Sequence, residues 1–341
     1  MLARLPRIPA ILMLALIALA CAWALTVKPP PVSMAKKGGY TDMRLYHDIA
    51  AKVATGTPYH QAAASTHRAH NYPLKPFFTM RLPTLSEAGA HLGWPMLQKL
   101  AYALLIATAL LWVVALENAA HLLERALVGI AVLAGGGIVA NQGLMALHEV
   151  WGGMFIALAL AVRFGWERLW PLAVVLAGCG LMVRELVLPF VLLSMAFAGW
   201  QKRWAELAAW AALVVVFAGV MAVHAHYVAA VVLPSDIPSP GWHAAQGFTA
   251  FLKAVVFTSV LAALPLKFAL LLAMLPLFGW LAMPGRGGLF GLLLFAGYAL
   301  MIALFSRADT FYWGGIVLPG YFIGIAFLPR ALRDLWMAAR G

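Results

Sequence analysis

Asp42 and Asp48 lie in the longest polar stretch of an otherwise apolar sequence. That stretch, Gly39–Pro83, reads GYTDMRLYHDIAAKVATGTPYHQAAASTHRAHNYPLKPFFTMRLP, and five of the ten histidines fall between His47 and His91. A carboxylate at a cleft can accept a proton from a hydroxyl. Arg184 and Arg307 each close an apolar run, and Arg81 is a further basic residue inside the polar stretch. Three more polar clusters end apolar runs: His148-Glu149 with Asn141 and Gln142, Arg184-Glu185, and Arg307-Asp309 with Tyr312. Polar groups at the ends of membrane helices are costly to keep, so each cluster is a candidate site. Taken singly, each is equally well read as a rim ion pair that holds helices together. Arg184 and Glu185 are sequence neighbours, and on a helix they would point about 100° apart toward different partners.

The polar stretch opens with a helix. Thr41 is placed to cap it, Asp42 in the first turn suits its positive end, and Gly56 with Pro58 stops it. At about 100° per residue, Tyr46, Ile49 and Val53 share one face, flanked by Leu45 and Ala50. Asp42 falls on that apolar arc, whereas Asp48 falls on the polar one and is expected to point to water. A plain capping role for Asp42 remains the simpler alternative. The histidines at 47, 60, 67, 70 and 91 make no recognised metal spacing. His67 and His70 read as solvated loop residues rather than as paired ligands. No cofactor is expected, and the sequence does not decide a metal requirement.

The whole chain has 341 residues, is 64% hydrophobic and only 11% charged, far below the roughly 25% charge of a soluble domain. It is expected to be an all-α, polytopic transmembrane bundle of about ten helices, a single domain over 1–341. The expected parts are a first helix at 8–27, a large extracytoplasmic loop at 28–95 with amphipathic helices, further spans over 96–328, and a cytoplasmic tail at 329–341. Arg4 and Arg7 before the apolar run resemble a signal-peptide start. Ala22-Trp23-Ala24 resembles a cleavage site, and Cys21 a poor lipobox. The run is long enough to span and is read as an uncleaved first helix. Pro29-Pro30-Pro31 ends it. The net charge of +12 fits inside-facing loops and anionic lipid rather than nucleic acid. Cys21 and Cys179 lie in apolar runs and suggest neither a disulfide nor a metal cluster. There is no GK[ST] phosphate loop, no HExxH and no GxSxG.

After the first helix comes D-x-x-x-Y-x-x-I-A (Asp42, Tyr46, Ile49, Ala50), then G-x-P-Y (Gly56, Pro58, Tyr59), then Y-P-x-x-P (Tyr72, Pro73, Pro76). This arrangement resembles the GT-C superfamily of integral-membrane glycosyltransferases that use polyprenyl-phosphate-linked sugars. The resemblance covers roughly the first 100 residues. It departs where Met43 follows Asp42, since many such enzymes carry a second acid there, and in having no soluble C-terminal domain. It implies a GT-C-like fold, a polyprenyl-phosphate-sugar donor, and a glycan, lipid or protein acceptor. The setting would be a bacterial-type inner membrane with the site facing outward. Asp42 would then be the base. Arg184 and Arg307 would hold the lipid phosphate, with Arg81 a weaker candidate, and Tyr46, His148, Glu149, Glu185 and Asp309 would line the substrate site. A transporter or flippase for a lipid-linked or anionic solute, and a non-catalytic assembly subunit, are the competing readings.

With the N-terminus inside, Arg125, Arg163, Arg168, Lys202, Arg203, Arg286, Arg330 and Arg333 all fall on one side, as the inside bias of basic short loops requires. Reporter fusions near Ser65 and at Gly341 are expected to report opposite compartments. The same compartment for both would overturn this topology.

Overall fold

The computed structural model describes residues 2–28 and 40–341. Pro29-Pro30-Pro31, Lys36, Lys37 and Gly39 lie outside the described residues. The described chain is helical, with no named strand among the described residues. Its α-helices are α1 (Arg7–Thr26), α2 (Asp42–Ala54), α3 (Tyr59–Ala69), α4 (Thr84–Leu92) and α5 (Trp94–Ala115), then α6 (Leu122–Gly135), α7 (His148–Gly165), α8 (Trp170–Val183), α9 (Leu188–Trp200) and α10 (Trp204–Val231). After these come α11 (Phe248–Phe257), α12 (Leu266–Gly279), α13 (Arg286–Phe305) and α14 (Ile323–Arg340).

Among the described residues, four helices are long and apolar enough to cross a membrane: α1, α5, α10 and α13. A fifth joins them if the bent pair Ala308–Val317 and Gly320–Arg340, which meet at 64°, is one span. Most of the other expected spans are short. α6, α8 and α12 have 14 residues each, and α9 has 13, well under the roughly 20 needed to cross the hydrocarbon core untilted. Glycine and proline account for much of this. Gly135-Gly136-Gly137 stops α6, and Pro189 starts α9 only five residues after α8 ends.

α7 is buried along nearly its whole length and serves as the central post. Gly153 lets it meet the 315–318 segment, because a Cβ there would collide with the carbonyl oxygens of Gly315 and Leu318. Polar groups gather at its two ends. Arg163 at one end pairs with Glu206 at 2.6 Å, and His148-Glu149 opens the other. Eighteen residues at about 1.5 Å each separate those ends by about 27 Å, close to the roughly 30 Å of a hydrocarbon core.

Helices α2 and α3 and the 72–82 segment form a small unit with its own core of Leu45, Tyr46, Ile49, Val53, Tyr59, Ala62, Ala63, Leu74 and Met80. On α2 the buried residues are those of the predicted apolar face, and Thr41 accepts from the Arg44 amide at 3.3 Å. α3 was not foreseen. Its Ala-rich HQAAASTHRA run follows Pro58, a good first-turn boundary. The expectation of solvated histidines fails at His67. It is only 3% exposed, and its Nδ1 donates to the Pro73 carbonyl at 2.9 Å.

This unit is tied to the C-terminal part of α10 and the loop after it. Arg68 forks onto Asp236 at 2.7 and 2.8 Å, and the Leu74 amide donates to the Ile237 carbonyl at 3.0 Å. His224 of α10 donates from Nε2 to the Met80 carbonyl at 2.9 Å. Its Nδ1 is thereby left as the acceptor for His60 Nε2 at 3.2 Å. That bond requires His224 to be neutral, because a proton on Nδ1 would set two donors against each other.

Burial, and then the neighbouring His224, hold His60 down from 6.5 to about 4, and burial holds His67 down to about 4. An imidazole whose pKa falls on folding adds stability above its unfolded pKa and loses it as pH drops toward the folded value. Asp236 is held down to about 2 by Arg68, so that ion pair stays intact over the same interval. Hydrogen exchange across 59–74, corrected for intrinsic chemistry, is therefore expected to accelerate about tenfold or more between pH 7 and pH 4.5, at ten per pKa unit, with the α10 core unchanged. Equal protection at both pH values would show that the imidazoles do not hold the unit down.

Candidate functional site

Arg184 is the most enclosed cation of the described chain, at 1% exposure. It terminates α8 in an extended conformation, φ −148° and ψ 119°, because the chain must turn before Pro189 opens α9. This extended residue overturns the expected divergence of Arg184 and Glu185. The two side chains pair with each other, and the second guanidinium arm reaches Glu149 at 2.8 Å. Glu149 sits in the first turn of α7, where the positive helix end favours a carboxylate, and it is 2% exposed.

From Glu185 the network runs outward. Arg81 donates from Nη1 to Glu185 at 3.1 Å and to the Phe78 carbonyl at 3.3 Å, and from Nε to the Tyr46 hydroxyl at 3.3 Å. Its Nη2 has no hydrogen-bond partner among the described residues, and the side chain is 12% exposed. Its backbone is pinned as well, since the Tyr59 hydroxyl donates to the Arg81 carbonyl at 2.6 Å. Tyr46 stands edge-on to His148, ring centroids 4.7 Å apart. Burial, more than any neighbouring charge, pushes the Tyr46 hydroxyl up, so it remains a phenol with a proton to donate.

Asp42 stands beside this phenol. Tyr46, Tyr72, His67 and Tyr312 all lie near enough to feel its charge. It is half-buried, neither sealed in like Glu149 nor free like Asp309. Asp48 is also half-buried, and it accepts from the Tyr40 hydroxyl at 2.5 Å. The expectation that it points freely to water is therefore corrected. Phe78 and Trp242, with ring centroids 5.0 Å apart, join the polar stretch to the loop after α10.

Three of the four predicted polar clusters thus meet: Asp42 with Tyr46, His148-Glu149, and Arg184-Glu185. The fourth divides. Tyr312 reaches the group. Arg307, by contrast, forks onto Asp309 at 3.0 and 3.1 Å and holds the Gly241 carbonyl at 3.1 Å. Asp309 is 68% exposed. Nor do Asn141 and Gln142 act as a pair, for Asn141 instead caps its own turn through the Gly143 amide at 3.0 Å. Both ring nitrogens of His148, at 1% exposure, lack a partner among the described residues. No group of three or more metal-ligating side chains occurs among the described residues. Sequence reading missed Tyr72 as a neighbour of Asp42 and Tyr40 as the partner of Asp48. Tyr72 follows α3, the helix that was not foreseen, whereas Tyr40 stands just before α2 and Asp48 within it.

No protein-family model, curated protein or solved structure matches this chain.

Arg184 already carries two carboxylates, so its first role is electrostatic closure of the bundle end. Removing one partner of a buried pair leaves a charge uncompensated and costs about 3–5 kcal/mol. Arg184→Ala is expected to lower thermal stability in detergent by that order. Arg184→Ala combined with Glu149→Gln should recover part of the loss. Melting of the single variant at the native temperature would mean that the network carries no stability.

Proposed function

We propose that this chain is a membrane glycosyltransferase of the GT-C type. It moves a sugar from a polyprenyl-phosphate donor to an acceptor hydroxyl with inversion, and Asp42 is the base. The observation that carries the reading is the placing of a half-buried carboxylate and a guanidinium with a free nitrogen around the single phenol of Tyr46.

Inverting transfer asks for those two groups. The acceptor proton passes to Asp42 as the acceptor oxygen bonds to the anomeric carbon. The bond from that carbon to the phosphate oxygen breaks, its electron pair stays with phosphate, and a cation meets the growing charge. Arg81 is the cation suited to this part. Arg184 lies behind it, enclosed by Glu149 and Glu185, and orients Arg81 through Glu185. Arg307 keeps a more distant role at the rim, engaged by Asp309. A polyprenyl donor arrives through the bilayer, so no nucleotide pocket is required. The full topology belongs to the same proposal: about ten membrane-embedded helices, several short, in a bacterial-type inner membrane, with Asp42 on the outer face.

Asp42→Asn keeps the shape of the side chain but cannot accept the proton. A positioned base contributes about 10²–10⁴-fold, so turnover is expected to fall at least about 10²-fold with donor binding retained. The measurement is radiolabelled sugar transfer from polyprenyl-phosphate donors by purified protein. Equal turnover in Asp42→Asn and native protein would sink the catalytic assignment.

A further inference from the structure

Three long apolar helices stop at one level of the bundle. α5 ends at Ala115, α10 starts at Trp204 and α13 starts at Arg286. α7 ends beside them at Gly165, and its other end, His148-Glu149, lies on the side of Asp42. Trp200 and Trp204 are exposed at this level, at 65% and 66%. Exposed tryptophan at the ends of spans marks the boundary between membrane and water.

A cavity of about 380 Å³ opens here. Trp112, Leu116, Met283 and Gly287 are buried and form its floor, whereas Ala119, Gly285 and Arg286 are exposed and form its mouth. That space holds about a dozen waters at roughly 30 Å³ each, or a phosphodiester with its glycerol.

Two guanidinium groups line the cavity. Arg163 is 11% exposed, and its fork onto Glu206 uses Nε and Nη2, so Nη1 has no partner among the described residues. Glu206 lies outside the cavity, in an adjoining cleft with Arg168 and Trp204. Arg286, at the mouth, has neither a hydrogen bond nor an ion pair among the described residues. The carboxylate that does line the cavity, Glu167, is taken by Arg203 at 2.8 Å. The cavity therefore keeps a surplus of positive charge, and guanidinium groups bind phosphate oxygens in a fork. α5, which ends at the cavity, exposes Ile106, Leu110 and Val114 at four-residue spacing, one stripe of the helix. An acyl chain can lie along that stripe while its phosphate reaches the arginines. A soluble anion would meet the same arginines and gain nothing from the stripe.

We infer that this cavity binds the phosphate of an anionic membrane lipid, held between Arg163 and Arg286. The site lies at the opposite end of α7 from Asp42 and does not depend on the glycosyltransferase reading.

The test uses full-length protein in detergent, freed of bound lipid. It is titrated with dioleoylphosphatidylglycerol, dioleoylphosphatidylcholine or sodium phosphate, and native mass spectrometry counts the bound lipid. Phosphatidylglycerol is expected to bind in preference to phosphatidylcholine, and millimolar phosphate should not displace it. One cation near the membrane surface is worth about fivefold in binding an anionic lipid, so Arg286→Gln is expected to lose about fivefold or more in affinity. Ala119→Trp, which blocks the mouth and leaves the charge unchanged, should lose as much. Arg168→Gln, in the adjoining cleft, should bind as the native protein does. Equal binding of the two lipids, or equal losses in Arg286→Gln and Arg168→Gln, would overturn the site in favour of diffuse surface charge. Displacement by phosphate would overturn the lipid and leave a soluble anion as the occupant.

Discussion

Arg184 is buried with two carboxylates around it, and much of the polar end of the molecule is arranged to make that tolerable. An isolated guanidinium in such a place would be prohibitively expensive. Glu149 supplies one counter-charge from the start of α7, and Glu185 supplies the other from the next residue of the chain. The requirement fixes where α8 may stop, since only an extended residue after Val183 turns the Arg184 side chain toward both partners. It also sets the depth of α7, because Glu149 must arrive at the same level. Arg81 then extends the alternation of charge outward to Tyr46. Counted together, Arg81 and Arg184 face Asp42, Glu149 and Glu185, so Asp42 is the carboxylate that the network leaves without a guanidinium of its own.

That surplus is what gives the site chemical interest. A carboxylate locked in an ion pair is a poor base, whereas an unpaired, half-buried one can exchange a proton. Tyr46 has two positions in this arrangement. Its ring belongs to the small core under α2, and its hydroxyl belongs to the polar network. Packing and electrostatics are coupled through this one side chain.

The unit built from α2, α3 and the 72–82 segment is attached by both apolar and polar contacts. Its core meets Ala146 and Val228, with Ala90, Trp94, Val231 and Val232 packed against it. The polar attachments are the Arg68–Asp236 fork, the Arg81–Glu185 pair, the histidine pair and the backbone bonds to 237–239.

The apolar content and the scarcity of charge were enough to read a helical chain with membrane-spanning segments, because burying polar backbone in lipid leaves few other solutions. The face of α2 was also legible, down to Leu45, Tyr46, Ile49, Ala50 and Val53, since helical periodicity is a local property of the chain. Periodicity carries no such information across a chain break. α3 is short and rich in alanine, so its pattern was weak, and its absence from the reading hid both Tyr72 and the burial of His67. Whether a charge at the end of a run is free or taken was decided by tertiary structure alone. Arg184 and Arg307 both close apolar runs in the sequence, but only the approach of α7 brings Glu149 to Arg184, while Arg307 turns to Asp309. Pairing of that kind depends on distances between residues more than thirty positions apart, and the order of amino acids does not state those distances.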